Sequence, residues 1–204
     1  MSAVIDTIRQ QGIVAIVRTP TAEDAARNVA TLIGAGLKVV EVSLVTPHAL
    51  DVIRAAVEEA PVGVFIGVGT ALTVEDVRLA VKAGARFVVS PIVREEVIKA
   101  ALDAGLDTLP GATTPSEAMR AVEWGSTLVK LFPASLWSPA VLREALTALP
   151  ALQTVPTGGV TLDAAPDWIR AGAVALGIGG ALTRAGDPVG VARTLISEIA
   201  AARP

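Results

Sequence analysis

The chain of 204 residues is long enough to bury a substantial core and short enough to form one domain. Apolar residues make up 52% of it and charged residues only 18%, which excludes a solvated, disordered chain. A formal net charge of −3 gives no basic footprint for nucleic acid, zero cysteines remove disulfides and Cys-ligated zinc, and a single histidine, His48, supports neither a His-built metal site nor a serine triad.

The first ten residues carry Asp6 and Arg9 and lack the apolar run of a secretion signal, so the expectation is a cytoplasmic protein. A helix is expected there, ahead of the first strand. Short runs rich in β-branched residues then recur at 13–17, 39–43, 64–68, 87–90, 127–132, 154–157 and 174–178, with the weakest, near 106–111, between the fourth and fifth of these. They are apolar almost throughout rather than alternating, as parallel strands covered on both faces require. Ala-rich amphipathic segments separate them, and most begin with helix-start residues. Thr21 precedes Glu23 and Asp24, Thr46 precedes Pro47, and Thr73 precedes Glu75 and Asp76. Thr114 precedes Pro115 and Glu117, Ser138 precedes Pro139, and Thr161 precedes Asp163. A hydroxyl at the cap accepts the orphan backbone N–H groups, while proline or an acid suits the first turn.

Helix stops repeat too. A small residue followed by glycine ends segments at Gly36, Gly84, Gly105 and Gly172, with Trp124 and Gly125 as a variant. These markers recur about every 23 residues, which leaves room for eight βα units. The expected fold is therefore α/β, a compact TIM (β/α)8 barrel with an N-terminal helix, in one domain over 1–204. A flavodoxin-like open sheet is the alternative, but it needs only about five strands. The charge-free stretch 145–162 is broken by Pro150, Gln153, Pro156 and Gly158, so no membrane span is expected.

In such barrels chemistry collects at the C-terminal ends of the strands. Two ionisable residues interrupt apolar runs there, Glu41 and Lys130. Of the four lysines, Lys38, Lys82 and Lys99 fall at a strand start or on helix surfaces, and Lys130 alone sits inside a strand. Burying an unpaired ammonium is costly, and desolvation favours the free amine, a nucleophile toward carbonyl carbon. Glu41 would shuttle protons for imine formation and for C–C cleavage. As a purely structural pair the two would instead form a salt bridge in a polar core, an expensive arrangement that apolar residues often better. Gly158 and Gly159 follow the run at 154–157, and Gly179 and Gly180 follow the last run, where barrel enzymes commonly bind phosphate with backbone N–H groups. Arg18, closing the first run, has the fork geometry to hold a carboxylate, and Thr70 and Thr113 offer hydroxyls or merely cap loops. Trp124, Trp137 and Trp168 are read as packing or subunit contacts, and His48 as solvent-exposed. The acidic pairs at 58–59, 75–76 and 95–96 read as solvated helix termini, so no metal is expected.

Several segments together resemble the 2-keto-3-deoxy-6-phosphogluconate (KDPG) aldolase family, which includes 2-keto-3-deoxy-6-phosphogalactonate and 4-hydroxy-2-oxoglutarate (KHG) aldolases. The resemblance runs from Ile13 to about Leu182. Its marks are Ile16-Val17-Arg18, Val40-Glu41-Val42-Ser43-Leu44, Gly67-Val68-Gly69-Thr70-Ala71-Leu72 and Val89-Ser90-Pro91. Further along come Pro110-Gly111-Ala112-Thr113-Thr114-Pro115-Ser116-Glu117, Val129-Lys130-Leu131-Phe132-Pro133-Ala134 and Pro156-Thr157-Gly158-Gly159-Val160.

The resemblance implies a metal-free, cofactor-free class I aldolase that forms a Schiff base with pyruvate and works as a homotrimer. Its small-molecule partners would be pyruvate and a phosphorylated aldehyde, with no nucleic acid or membrane involved. Lys130 would be the imine lysine and Glu41 the acid/base. Arg18 and Thr70 would bind the pyruvoyl carboxylate, Pro91, Phe132 and Thr157 would line the pocket, and Gly158, Gly159, Gly179 and Gly180 would meet the phosphate. The expected reaction is reversible cleavage of 2-dehydro-3-deoxy-6-phosphogluconate to pyruvate and D-glyceraldehyde 3-phosphate. Val45 and Ala181 stand where phosphogluconate-type enzymes carry arginine and serine, whereas Thr157 matches that type. The segment Thr183-Arg184-Ala185-Gly186 is closer to the galactonate type. Substrates of either C4 configuration, or 4-hydroxy-2-oxoglutarate, therefore stay open. Two other readings of the residues are a phosphosugar isomerase or synthase, with Glu41 as base and Lys130 as an electrostatic clamp, and a non-catalytic scaffold.

Overall fold

The computed structural model describes residues 2–203. Its strands are β1 (Ile13–Val17), β2 (Val39–Ser43), β3 (Phe65–Gly69), β4 (Phe87–Val89), β5 (Asp107–Leu109), β6 (Gly111–Ala112), β7 (Val129–Leu131), β8 (Thr154–Pro156) and β9 (Leu176–Ile178). Helix α1 (Ala3–Gln11) leads, as expected, and α2 (Ala22–Gly34), α3 (Ala49–Glu59), α4 (Val74–Lys82) and α5 (Glu95–Asp103) alternate with the first strands. They are followed by α6 (Pro115–Glu123), α7 (Pro139–Ala148), α8 (Ala165–Arg170), the single turn α9 (Gly180–Thr183) and α10 (Pro188–Ala202). Among the described residues no helix is long and apolar enough to cross a membrane.

Every strand pairing is parallel, and the sheet curls. Its larger part runs β5-β4-β3-β2-β1-β9 and its smaller part β6-β7-β8. The weak run near 106–111 is a strand divided at Pro110, which has no N–H to give a neighbour. Before the proline, β5 pairs with β4; after it, β6 pairs with β7, and Lys130 N–H donates to the Pro110 carbonyl at 2.9 Å. At the other seam Thr157 and Gly177 form a parallel bridge, and Val174 N–H donates to the Thr154 carbonyl at 3.0 Å.

The period of two along each strand then decides what faces inward. Val14, Val39, Phe87, Leu128 and Ala175, at or near the strand starts, are buried with Val4, Ile5 and Ile8 of α1. Helix α1 thus closes the N-terminal end of the concave face. Two residues further on, the same face presents Ile16, Glu41, Val89, Lys130 and Gly177, so the pleat itself aims the two ionisable side chains into the concavity.

The helices confirm most of the start and stop signals. Thr21, Thr73, Thr114 and Ser138 each accept from the N–H three residues on, and Thr73 and Thr114 form full capping boxes with Asp76 and Glu117. Gly36, Gly84, Gly105, Gly125 and Gly172 all have positive φ. Two starts differ. Helix α3 begins at Ala49 behind His48 in the left-handed region (φ 54°), and the Thr46 hydroxyl instead accepts from Thr19 N–H at 3.3 Å, tying the loops after β2 and β1 together. Helix α8 begins at Ala165, leaving Thr161 exposed in the preceding loop, because three turn residues, 162–164, intervene.

Candidate active site

The C-terminal ends of the strands surround a cavity of about 660 Å³. It is lined by every residue to which the family resemblance gives a site role: Arg18 after β1, Glu41 on β2, Thr70 after β3, Pro91 after β4, Lys130 and Phe132 on and after β7, Thr157, Gly158 and Gly159 after β8, and Gly179 and Gly180 after β9.

At its floor Lys130 Nζ stands 3.8 Å from Glu41 Oε1, with the two side chains only 9% and 3% exposed. Sequence spacing gives no such distance, since β2 and β7 belong to different parts of the sheet. Room for the carboxylate comes from Gly69 on the neighbouring strand, where a Cβ would lie 2.6 Å from Oε1. Burial pushes the Glu41 carboxyl above its ordinary value of 4.5, against the opposing pull of Lys130 and then Arg18. The ammonium side also meets an aromatic face, with Nζ 5.3 Å from the centre of the Phe132 ring. An amine next to a carboxyl that can hold a proton is a pair able to attack a carbonyl and move protons around it.

The hydroxyls are held by specific bonds. Thr70 sits at φ 64°, a conformation that a β-branched residue adopts only when its surroundings impose it, and its hydroxyl lies 2.7 Å from that of Ser43. The buried Thr157 hydroxyl donates to the Val155 carbonyl at 3.0 Å and packs against Gly177, where there is no side chain to displace it. Thr113 lies outside this cavity; its hydroxyl donates to the Phe132 carbonyl at 2.6 Å and braces the chain just past β7. Gly158 and Gly159 both have positive φ, 82° and 92°, and a Cβ on Gly159 would come 2.8 Å from Ser135 Cβ. Backbone, not side chain, therefore faces the cavity at these two positions.

The tryptophans stand apart from the floor of the site. Trp168 is buried in the core, Trp137 donates its indole N–H to the Thr113 carbonyl at 3.0 Å, and Trp124 ends α6. His48 is exposed. Sequence reading missed Ile16, Ser43 and, above all, Arg184 as lining residues. For Arg184 the available signal was its position four residues after Gly180, one helical turn on.

A family model described as KDPG and KHG aldolase matches residues 4–189. The chain is 34% identical over 178 residues to the 2-dehydro-3-deoxy-6-phosphogalactonate aldolase of Escherichia coli, covering 87% of each protein. It is 36% identical over 170 residues to the 2-dehydro-3-deoxy-phosphogluconate aldolase of Pseudomonas aeruginosa, covering 82% of this chain and 77% of that one. The crystal structure of the 2-keto-3-deoxy-6-phosphogluconate aldolase of Zymomonas mobilis with 3-phosphoglycerate matches with a TM-score of 0.83 at 27% identity, over 97% of this chain and 95% of that one. Fold and site thus define an aldolase, a carbon–carbon lyase on a curled parallel α/β sheet. More closely, the chain belongs to the KDPG and KHG aldolase family.

Proposed function

We propose that this chain is a class I aldolase that reversibly cleaves 2-dehydro-3-deoxy-6-phosphogluconate into pyruvate and D-glyceraldehyde 3-phosphate. The observation that carries the proposal is the buried Lys130–Glu41 pair, 3.8 Å apart at the floor of the cavity. Lys130 Nζ attacks C2 of the keto acid, and loss of water from the carbinolamine leaves a protonated imine. Glu41, as carboxylate, takes the proton of the C4 hydroxyl. The C3–C4 electron pair flows into the imine, and the aldehyde departs. Protonation of the enamine at C3 and hydrolysis of the imine release pyruvate and restore the amine. Holding both groups in one cavity makes each step effectively intramolecular, an advantage of about 7–11 kcal/mol in favourable cases.

Arg18 and Thr70, on neighbouring sides of Glu41, hold the pyruvoyl carboxylate. Pro91, Phe132 and Thr157 shape the pocket, and the backbone at Gly158, Gly159, Gly179 and Gly180 receives the phosphate. The 3-phosphoglycerate in the Zymomonas mobilis structure supports a phosphorylated ligand. Continuity through Pro110 and the Thr157–Gly177 bridge support a closed (β/α)8 barrel formed by a single domain. The first ten residues, with Asp6 and Arg9 and no apolar run, support a cytoplasmic location, and the family resemblance supports a homotrimer. Its mass is read by sedimentation.

Relatives of nearly equal identity carry phosphogalactonate and phosphogluconate names, which supports a second reading with the C4 epimer as main substrate. Val45 does not line the cavity and stands 60% exposed, so this chain places no arginine at the position that distinguishes phosphogluconate-type enzymes. Pyruvate release from each phosphorylated epimer and from 4-hydroxy-2-oxoglutarate tests the assignment. A kcat/KM highest for the phosphogluconate compound supports the first reading, and one highest for either competitor replaces it.

A further inference from the structure

The geometry points to Arg184 as the side chain that holds the distal anion of the substrate and sets the preference for a phosphorylated over an unphosphorylated 2-keto acid. This inference rests on the aldolase function proposed above.

Four observations support it. Arg184 lines the cavity on the same side as Gly179 and Gly180. Helix α9 is a single turn, closed by Arg184 N–H donating to the Gly180 carbonyl at 3.1 Å, and helical side chains lean toward the N-terminus. The guanidinium accordingly folds back over Gly180, where an added Cβ would run into Cζ and both terminal nitrogens.

The third observation is what Arg184 lacks. Several helix arginines elsewhere pair with an acid three residues earlier, as in Arg27 with Asp24, Arg54 with Asp51, Arg78 with Glu75 and Arg170 with Asp167, although Arg143 and Arg193 do not. Ala181 occupies that position before Arg184, and among the described residues its side chain makes no ion pair or hydrogen bond. Asp163 also lines the cavity without pairing to it. Fourth, the remaining cations of the cavity, Arg18 and Lys130, both act on Glu41 at the covalent end. A phosphate monoester at the glycine end would otherwise meet backbone dipoles alone. The planar fork of Arg184 supplies the missing charge with two donors in register.

Arg184→Ala should raise KM for 2-dehydro-3-deoxy-6-phosphogluconate, or for its C4 epimer if that is the substrate, by about 10- to 100-fold, the range of a charge-assisted hydrogen bond, with kcat changed far less. Turnover of the unphosphorylated 2-dehydro-3-deoxygluconate, which keeps the carbon chain but has no distal anion, should stay within about twofold, and Arg184→Lys should recover part of the KM for the phosphorylated substrate. Equal losses on both substrates, or no loss on the phosphorylated one, would each overturn the assignment. Borohydride trapping of pyruvate separates this inference from the function beneath it. Wild type that traps pyruvate while its KM ignores Arg184 refutes Arg184 only; wild type that traps none refutes the aldolase mechanism.

Discussion

Replacing Lys130 by Met keeps an unbranched side chain of similar length in β7 and removes only the charge and the amine. In the native protein that charge is the largest influence opposing the burial of Glu41, ahead of Arg18. Without it the folded protein binds the Glu41 proton still more tightly. A carboxyl whose folded pKa is raised contributes its stability below the unfolded pKa and loses it as pH rises through the folded one. The penalty of Lys130→Met relative to wild type should therefore grow with pH. Its slope reaches about 1.4 kcal/mol per pH unit between the wild-type and variant values of Glu41. It levels off at about 3–5 kcal/mol, the cost of a buried charge stripped of its partner. Urea unfolding at about pH 5 and about pH 8 reads this directly, with the larger drop in midpoint at the higher pH. The double change Lys130→Met with Glu41→Leu replaces the pair by apolar groups and should remove the pH dependence. A penalty equal at both pH values, or a pH dependence that persists in the double variant, would refute the coupling.

Glu41→Gln should lower kcat by about 10²- to 10⁴-fold, the usual worth of a general acid–base group, yet still allow some imine with pyruvate; unchanged turnover would contradict the role. Because the carboxylate form does the work, turnover should fall as pH drops, with an acid limb above the ordinary 4.5. Arg18→Met removes one of the charges that hold Glu41 down, so that limb should move to higher pH, and a pH–rate profile showing no movement or a downward one would count against the geometry. Gly159→Ala forces a Cβ into a backbone at φ 92° and against Ser135 Cβ at 2.8 Å. It should destabilise the chain by about 1–3 kcal/mol and raise KM for the phosphorylated substrate, measured by thermal melting and steady-state kinetics.

Much of this was legible because local chemistry and tertiary role coincide. Runs such as 13–17 and 39–43 carry their burial in their composition, and Thr73, Thr114 and Ser138 cap the helices they precede. Lys130 and Glu41 were visible because an ionisable residue in an apolar strand needs a reason to be there. Their contact was not, since 3.8 Å across the concavity depends on how far the sheet curls, which no local pattern encodes. Thr46 and Thr161 mimic caps, but the loops after β2 and β8 run on before their helices start, and Thr46 bonds to a different loop altogether. The strand at Pro110 was faint because one half serves each neighbour. Arg184 resembles an ordinary helix-end cation until α9 is seen to be one turn long, folding it over Gly180.

The most direct test of the mechanism is reduction with borohydride in the presence of pyruvate, followed by peptide mass mapping. A stable pyruvyl addition on the peptide containing Lys130, absent without pyruvate, is the predicted result. No addition, or addition at Lys38, Lys82 or Lys99 instead, would contradict it.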